Sequence, residues 1–126
     1  MNRFKLAIII GSLGLIIAIL HASAIYLFLY WDIPWFDLLM HFLGGLWVGL
    51  LGLWFLALVL PEKGILEGKN VIYIALSSAV VVGVAWELFE YYTGLSILEY
   101  NFWQDTITDL LMDSAGGVLA GYWVRN

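Results

Sequence analysis

Apolar residues in this chain run in long blocks rather than alternating with polar ones. That pattern predicts helices and argues against strands. A helix needs about 20 mostly apolar residues to cross the hydrocarbon core of a bilayer. Four stretches qualify, at about 6–31, 35–60, 71–92 and 105–124. The first is broken by Asp32-Ile33-Pro34, the second ends at Pro61, and the third stops before Gly94. The expectation is an all-α, polytopic membrane protein. Residues 1–126 would form a single domain of four transmembrane helices.

Composition agrees. Hydrophobic residues make up 63% and charged residues 12%, against about 25% charged in a soluble domain. The net charge of −5, with five basic residues, excludes nucleic acid as a natural partner. There is no cysteine, which excludes disulfides, thiolate metal sites and thiol catalysis.

The first stretch also has the outline of a signal peptide. Arg3 and Lys5 precede an apolar run and then Ala22-Ser23-Ala24. The run continues through Ile25 to Trp31, which favours a membrane span whose small residues serve packing.

Four spans would put Arg3, Lys5, Lys63, Lys69 and Arg125, every basic residue, on one side. By the positive-inside rule that side is cytoplasmic, and so are both termini. The localisation expected is the inner membrane. Trp31, Trp35, Trp103, Tyr30, Tyr92 and Tyr100 would then form an aromatic belt at the opposite interface. Glu62 and Glu67 read as cytoplasmic loop residues.

The other eight acids all map to the outer half. Asp32 and Glu99 read as solvated loop residues, and Asp105 as a helix cap or a ligand. Asp37 and His41 are four apart, Glu87 and Glu90 three apart, and Asp105, Asp109 and Asp113 form one helical stripe. At about 1.5 Å of rise per residue, three helices bring ionisable groups to one depth. The stripes continue inward as Gly45 and Gly49, and as Gly117 and Gly121, where glycine permits close helix approach.

The segment Asp37–Gly49 aligns without gaps to Asp109–Gly121, with seven of thirteen positions identical. That predicts two hairpins forming a parallel, pseudo-two-fold repeat, with Asp37 and His41 facing Asp109 and Asp113 across its interface. His21 reads as a packing histidine, and Ser114 as a packing residue rather than a nucleophile.

An ionised carboxylate deep in a membrane costs roughly 2.5–3.5 kcal/mol, so five of them would cost on the order of 15 kcal/mol. No Lys or Arg lies near enough to pair with them. Protons, water, His41 or a bound cation remain as relief. Carboxylates with one imidazole from facing helices make a ligand set for a divalent metal. The expected ligands are His41, Glu87, Asp109 and Asp113, then Asp37 and Glu90, then Asp105. Oxygen-rich ligation favours Mg²⁺, Mn²⁺ or Ca²⁺, and His41 keeps Zn²⁺ or Fe²⁺ open.

Three motifs carry a family resemblance: Asp37-x-x-x-His41-Phe-x-Gly44-Gly45, Trp86-Glu87-x-x-Glu90, and Asp105-Thr106-x-x-Asp109-x-x-x-Asp113-x-x-Gly116. Together they resemble the YjdF-like inner-membrane family of unknown function. More loosely, they are similar to VanZ-like membrane proteins, which share an Asp-x-x-x-His-Phe segment and an acidic final helix followed by glycine; where those have Glu-x-x-Gln in the third helix and an Arg in the fourth, this chain has Glu87-x-x-Glu90 and no Arg at 105–124. The resemblance implies a membrane fold and supplies no reaction.

Function on these grounds divides three ways. The first is a metal-dependent enzyme on a lipid or envelope precursor, with Glu90 as candidate base. The Asp-x-x-x-Asp helix resembles those of prenyl and phosphatidyl transferases, which hold Mg²⁺-bound phosphates. The second is a cation- or proton-coupled carrier. The third is a structural or partner protein with protonated buried acids. Membrane lipids, a lipid-like substrate and a second copy of the chain are the partners these readings imply.

Overall fold

The computed structural model describes residues 2–60, 68–94 and 101–126. Pro61, Glu62, Lys63, Glu67, Glu99 and Tyr100 lie outside the described residues. Five helices follow among those described: α1 Arg3–Tyr26, α2 Leu29–Asp32, α3 Phe36–Val59, α4 Asn70–Thr93 and α5 Phe102–Arg125.

Local chemistry accounts for most of the helix ends. The Asn2 side chain accepts the Lys5 N–H at 2.8 Å and caps α1. Pro34 precedes α3 and Pro61 follows it, and a proline disfavours helical geometry in the residue before it. Gly94 ends α4 at φ 77°, with its N–H turned back to the carbonyls of Glu90 and Tyr91. The helix α1 runs straight through Ala22-Ser23-Ala24, and Ala24 is fully buried.

The first predicted stretch needs correction. It does not continue as one helix to Trp31. It stops at Tyr26, Phe28 takes φ 59°, and a single turn, α2, follows. An aromatic residue there is a strained exception to the usual left-handed residues.

The expected four spans are also corrected. Among the described residues three helices are long and apolar enough to cross a membrane: α1, α3 and α4. The helix α5 is as long as these, but Asp105, Asp109, Asp113 and a run of small residues leave it short of their apolarity. Without a fourth span, the even number that placed Arg125 beside the N-terminus no longer holds.

Nor are there two equivalent hairpins. The helices α3, α4 and α5 each pack on the other two, while α1 packs on α3 and α2. The aligned glycines do unequal work. A Cβ on Gly45 would strike the Asp113 backbone, whereas its counterpart Gly117 faces Ala75, Leu76 and Ala79 of α4. The matching stripes reflect a shared need for close approach rather than a repeated unit, and the arrangement is not a bundle of four equivalent helices.

The apolar core and the acids sit at opposite ends. The core joins Leu6 and Ile10 of α1, Leu46, Leu50 and Leu53 of α3, Val71 and Ala75 of α4, and Ala120 and Val124 of α5. Trp47 ties α1 to α3 by donating its indole N–H to the Ile10 carbonyl at 2.9 Å. The acids lie toward the start of α3 and α5 and the end of α4, and these ends are adjacent.

Candidate functional site

The site begins with Asp37 and His41, one turn apart on α3. The helix α5 supplies Asp109 and Asp113, also one turn apart, and their stripe faces the α3 stripe. Glycine makes this contact possible: Gly45 has the Asp113 backbone against it, and Gly116 has the Phe42 carbonyl and Leu46 N–H against it. Backbones this close bring short Asp side chains within reach of an imidazole on the neighbouring helix.

His41 sits in the middle. Its Nε2 lies 3.6 Å from Asp109 Oδ2 and 4.0 Å from Asp37 Oδ1. Its Nδ1 lies 3.4 Å from Asp113 Oδ2, and an Nδ1–H tautomer donates there. Ligand atoms of Asp37, His41 and Asp109 all fall within 4.8 Å of one another.

Asp109 is 1% exposed, and neither of its carboxylate oxygens has a hydrogen-bond partner. A buried unpaired carboxylate oxygen forfeits its hydration without replacement, which is costly. The 3.6 and 4.0 Å separations are too long for hydrogen bonds. They match the roughly 3–4 Å between neighbouring ligands that are each about 2.0–2.5 Å from one shared ion.

Glu87, on α4, is buried too. It accepts the Thr106 hydroxyl at 2.8 Å through Oε2, while Oε1 is buried without a partner. Gly83, one turn inward on α4, leaves the space that the Asp113 carboxylate fills. The α5 acids are thus gripped from both sides, by α3 and by α4.

The seven predicted residues therefore separate. Asp37, His41 and Asp109 come together, Asp113 meets the far side of His41, and Glu87 pairs with Thr106. Glu90 and Asp105 are half-buried and outside the three-residue group. Asp32 is exposed. Ser114 donates to the Leu110 carbonyl at 2.7 Å, as a packing hydroxyl would.

Sequence reasoning assigned Thr106 and Gly83 no role. Their one sequence signal is spacing: Thr106 lies three residues before Asp109, and Gly83 four before Glu87. His21, expected to pack, makes a polar contact as well. His21 Nδ1 lies 2.7 Å from the Tyr30 hydroxyl, and Tyr30 stands edge-on to Phe36 with ring centroids 5.3 Å apart. Burial first, then the Asp37 and Glu90 carboxylates, push the Tyr30 phenol up to about 12. A phenol is therefore kept protonated beside the acids.

No curated protein and no solved structure matches the chain. A family of membrane proteins does, and the resemblance that the three motifs carry to a membrane family of unknown function is borne out. The model of the family described as "Predicted membrane protein (DUF2238)" matches residues 1–126, so the chain belongs to that family.

Proposed function

We propose that this membrane protein holds a divalent cation between Asp37, His41 and Asp109 and uses it in chemistry on a lipid or envelope precursor. The observation that carries the proposal is Asp109: a carboxylate 1% exposed, both oxygens unpaired, with one of them 3.6 Å from His41 Nε2. A cation supplies the charge that no Lys or Arg is placed to supply, since none occurs between Lys5 and Lys63 or between Lys69 and Arg125.

The roles divide accordingly. Asp37 Oδ1, His41 Nε2 and an Asp109 oxygen are the ligands. Asp113 accepts from His41 Nδ1–H and so points Nε2 at the ion, the usual outer-shell arrangement for a metal-bound histidine. Mg²⁺, Mn²⁺ or Ca²⁺ suits the oxygens, and the imidazole admits Zn²⁺ or Fe²⁺. A bound divalent ion polarises a carbonyl or phosphoryl oxygen or lowers the pKa of water. Glu90 is the candidate base. On α3 the buried face inward of the site is Leu46, Leu50, Leu53 and Ala57. It offers no polar steps, which supports a bound cation over one carried across.

The same proposal puts the N-terminus and the α3–α4 connection on the cytoplasmic face of an inner membrane. Two candidate spans, α1 and α3, separate Arg3 and Lys5 from Lys63 and Lys69, so all four basic residues share a side.

The test is elemental analysis of purified wild type beside Asp109→Asn and His41→Ala, after reconstitution with Mg²⁺, Mn²⁺, Ca²⁺ and Zn²⁺ in turn. One equivalent of one metal is expected in the wild type, with at least a tenfold loss of affinity in each variant. Wild type that retains no metal, or variants that retain all of it, would overturn the proposal.

A further inference from the structure

An open crevice of about 710 Å³ runs between α3 and α4 on the inward side of the acids. Its walls include Trp47, Val48 and Phe55 from α3 and Val81 and Val82 from α4. The Trp47 indole N–H is given to Ile10, and the Ser78 hydroxyl to Ile74. Of the side chains lining it, that leaves the Trp54 indole N–H and the Ser77 hydroxyl as polar groups. Such a slot suits hydrocarbon. A second, smaller crevice of about 310 Å³ shares Val82 and continues along α4 past Trp86 to Phe89, beside Glu90 in sequence.

The crevice and the acid site share a face of α3. Asp37, His41, Gly44, Val48 and Phe55 recur at helical spacing on one side. Gly44 lies between His41 and Val48, and nothing stands within 4 Å of where its Cβ would be. That face of α3 is therefore unobstructed at Gly44. From Gly44 to Phe55 the helix rises about 16 Å, close to the roughly 15 Å of hydrocarbon in one leaflet.

Charge selects the headgroup. Glu87 and Glu90, which are not among the cation's three ligands, sit at this end of α4 without a Lys or Arg between Lys69 and Arg125. A net-anionic headgroup meets repulsion there, whereas an amine is complementary. We propose that the α3–α4 crevice holds an acyl chain of an ethanolamine phospholipid, whose ammonium group faces Glu90. This names the substrate class of the cation site and rests on that reading for the phosphate, which faces the cation.

The test equilibrates the purified full chain with mixed micelles of equal phosphatidylethanolamine and phosphatidylglycerol of matched acyl chains. Retained lipid is counted by mass spectrometry and metal is measured on the same sample. Wild type is expected to enrich the ethanolamine lipid roughly tenfold, equivalent to about 1.4 kcal/mol. Gly44→Trp, placed in open space between the site and the crevice, obstructs that face and loses the lipid while keeping the metal. Val82→Trp does the same from the opposite wall, should the first variant fail to fold. Glu90→Gln keeps lipid and loses the preference.

Equal retention of the two lipids by wild type, or undiminished lipid on both Trp variants, would overturn the inference. So would a dimer that Gly44→Trp splits with no lipid on either form, because a second copy would then fill the crevice. Metal-free wild type sinks the cation reading; metal-bearing wild type without lipid preference sinks this one alone.

Discussion

At the scale of single residues, His41 decides how the acids differ. Asp37 and His41, and Asp109 and Asp113, were legible as pairs because an i, i+4 spacing puts two side chains on one helix face whatever surrounds them. Which acid meets which imidazole nitrogen was not legible. That depends on how far α5 slides along α3, and periodicity within one helix carries no information about register between two. For the same reason no role could be read for Thr106 or Gly83: one matters only because Glu87 is opposite it, the other only because Asp113 fills its space. The division predicts unequal variants. Asp109→Asn removes a ligand. Asp113→Asn leaves three ligands and loosens the orientation of His41, so it should weaken cation affinity by about 10–100-fold without abolishing binding. Titration of the metal into both variants by calorimetry checks this. Equal losses would make Asp113 a ligand like the others.

At the scale of the helices, the ends of α3 and α4 followed from Pro34, Pro61 and Gly94, residues whose own geometry punctuates a helix. The end of α1 did not follow, because Leu27 and Phe28 carry no such signal. The chain turns there by a positive φ at Phe28. The α3–α5 contact is where element packing and site coincide. Without a hydrophobic drive between helices in lipid, small residues that let backbones close up supply much of the association. Gly45 lies against the backbone of Asp113 itself. A methyl group there meets main chain, which cannot rotate away as a flexible side chain would. Gly45→Ala should therefore push α5 off α3, destabilise the protein by about 1–3 kcal/mol and weaken metal binding together with stability. Gly11→Ala, inside α1 where nothing lies within 4 Å, should leave metal binding unchanged and cost no stability, since alanine favours a helix over glycine. Thermal unfolding in detergent with metal analysis separates the two. A Gly45→Ala protein with wild-type stability and metal content would show that the helices do not need this contact.

At the scale of the molecule, hydrophobicity announced a membrane protein correctly but counted its spans wrongly, and the same residues caused both the excess and the interest. The helix α5 looked like a fourth span because its second half is apolar and 24 residues are long enough to cross. Its first half carries three acids, and these make it a partner for α3 and α4 rather than another uniformly apolar rod. The fold thus gathers Asp37, Glu87, Asp109 and Asp113 at one end of the packed helices, with His41 as their single basic neighbour among the described residues. One imidazole cannot balance four carboxylates, so the packing of α5 depends on whatever neutralises them. If a cation does so, it binds the folded arrangement and not the separated helices, and stability must follow its concentration. At 100 times the dissociation constant the linkage is worth about 2.7 kcal/mol. Chelation should then lower the midpoint of thermal unfolding by several degrees, and re-addition of the right metal should restore it. His41→Ala, with one ligand gone, should lose most of that response while retaining its helical content by circular dichroism. An unfolding midpoint indifferent to chelator in the wild type would mean that protons alone hold the acids neutral, and the cation would have no part in assembling the molecule.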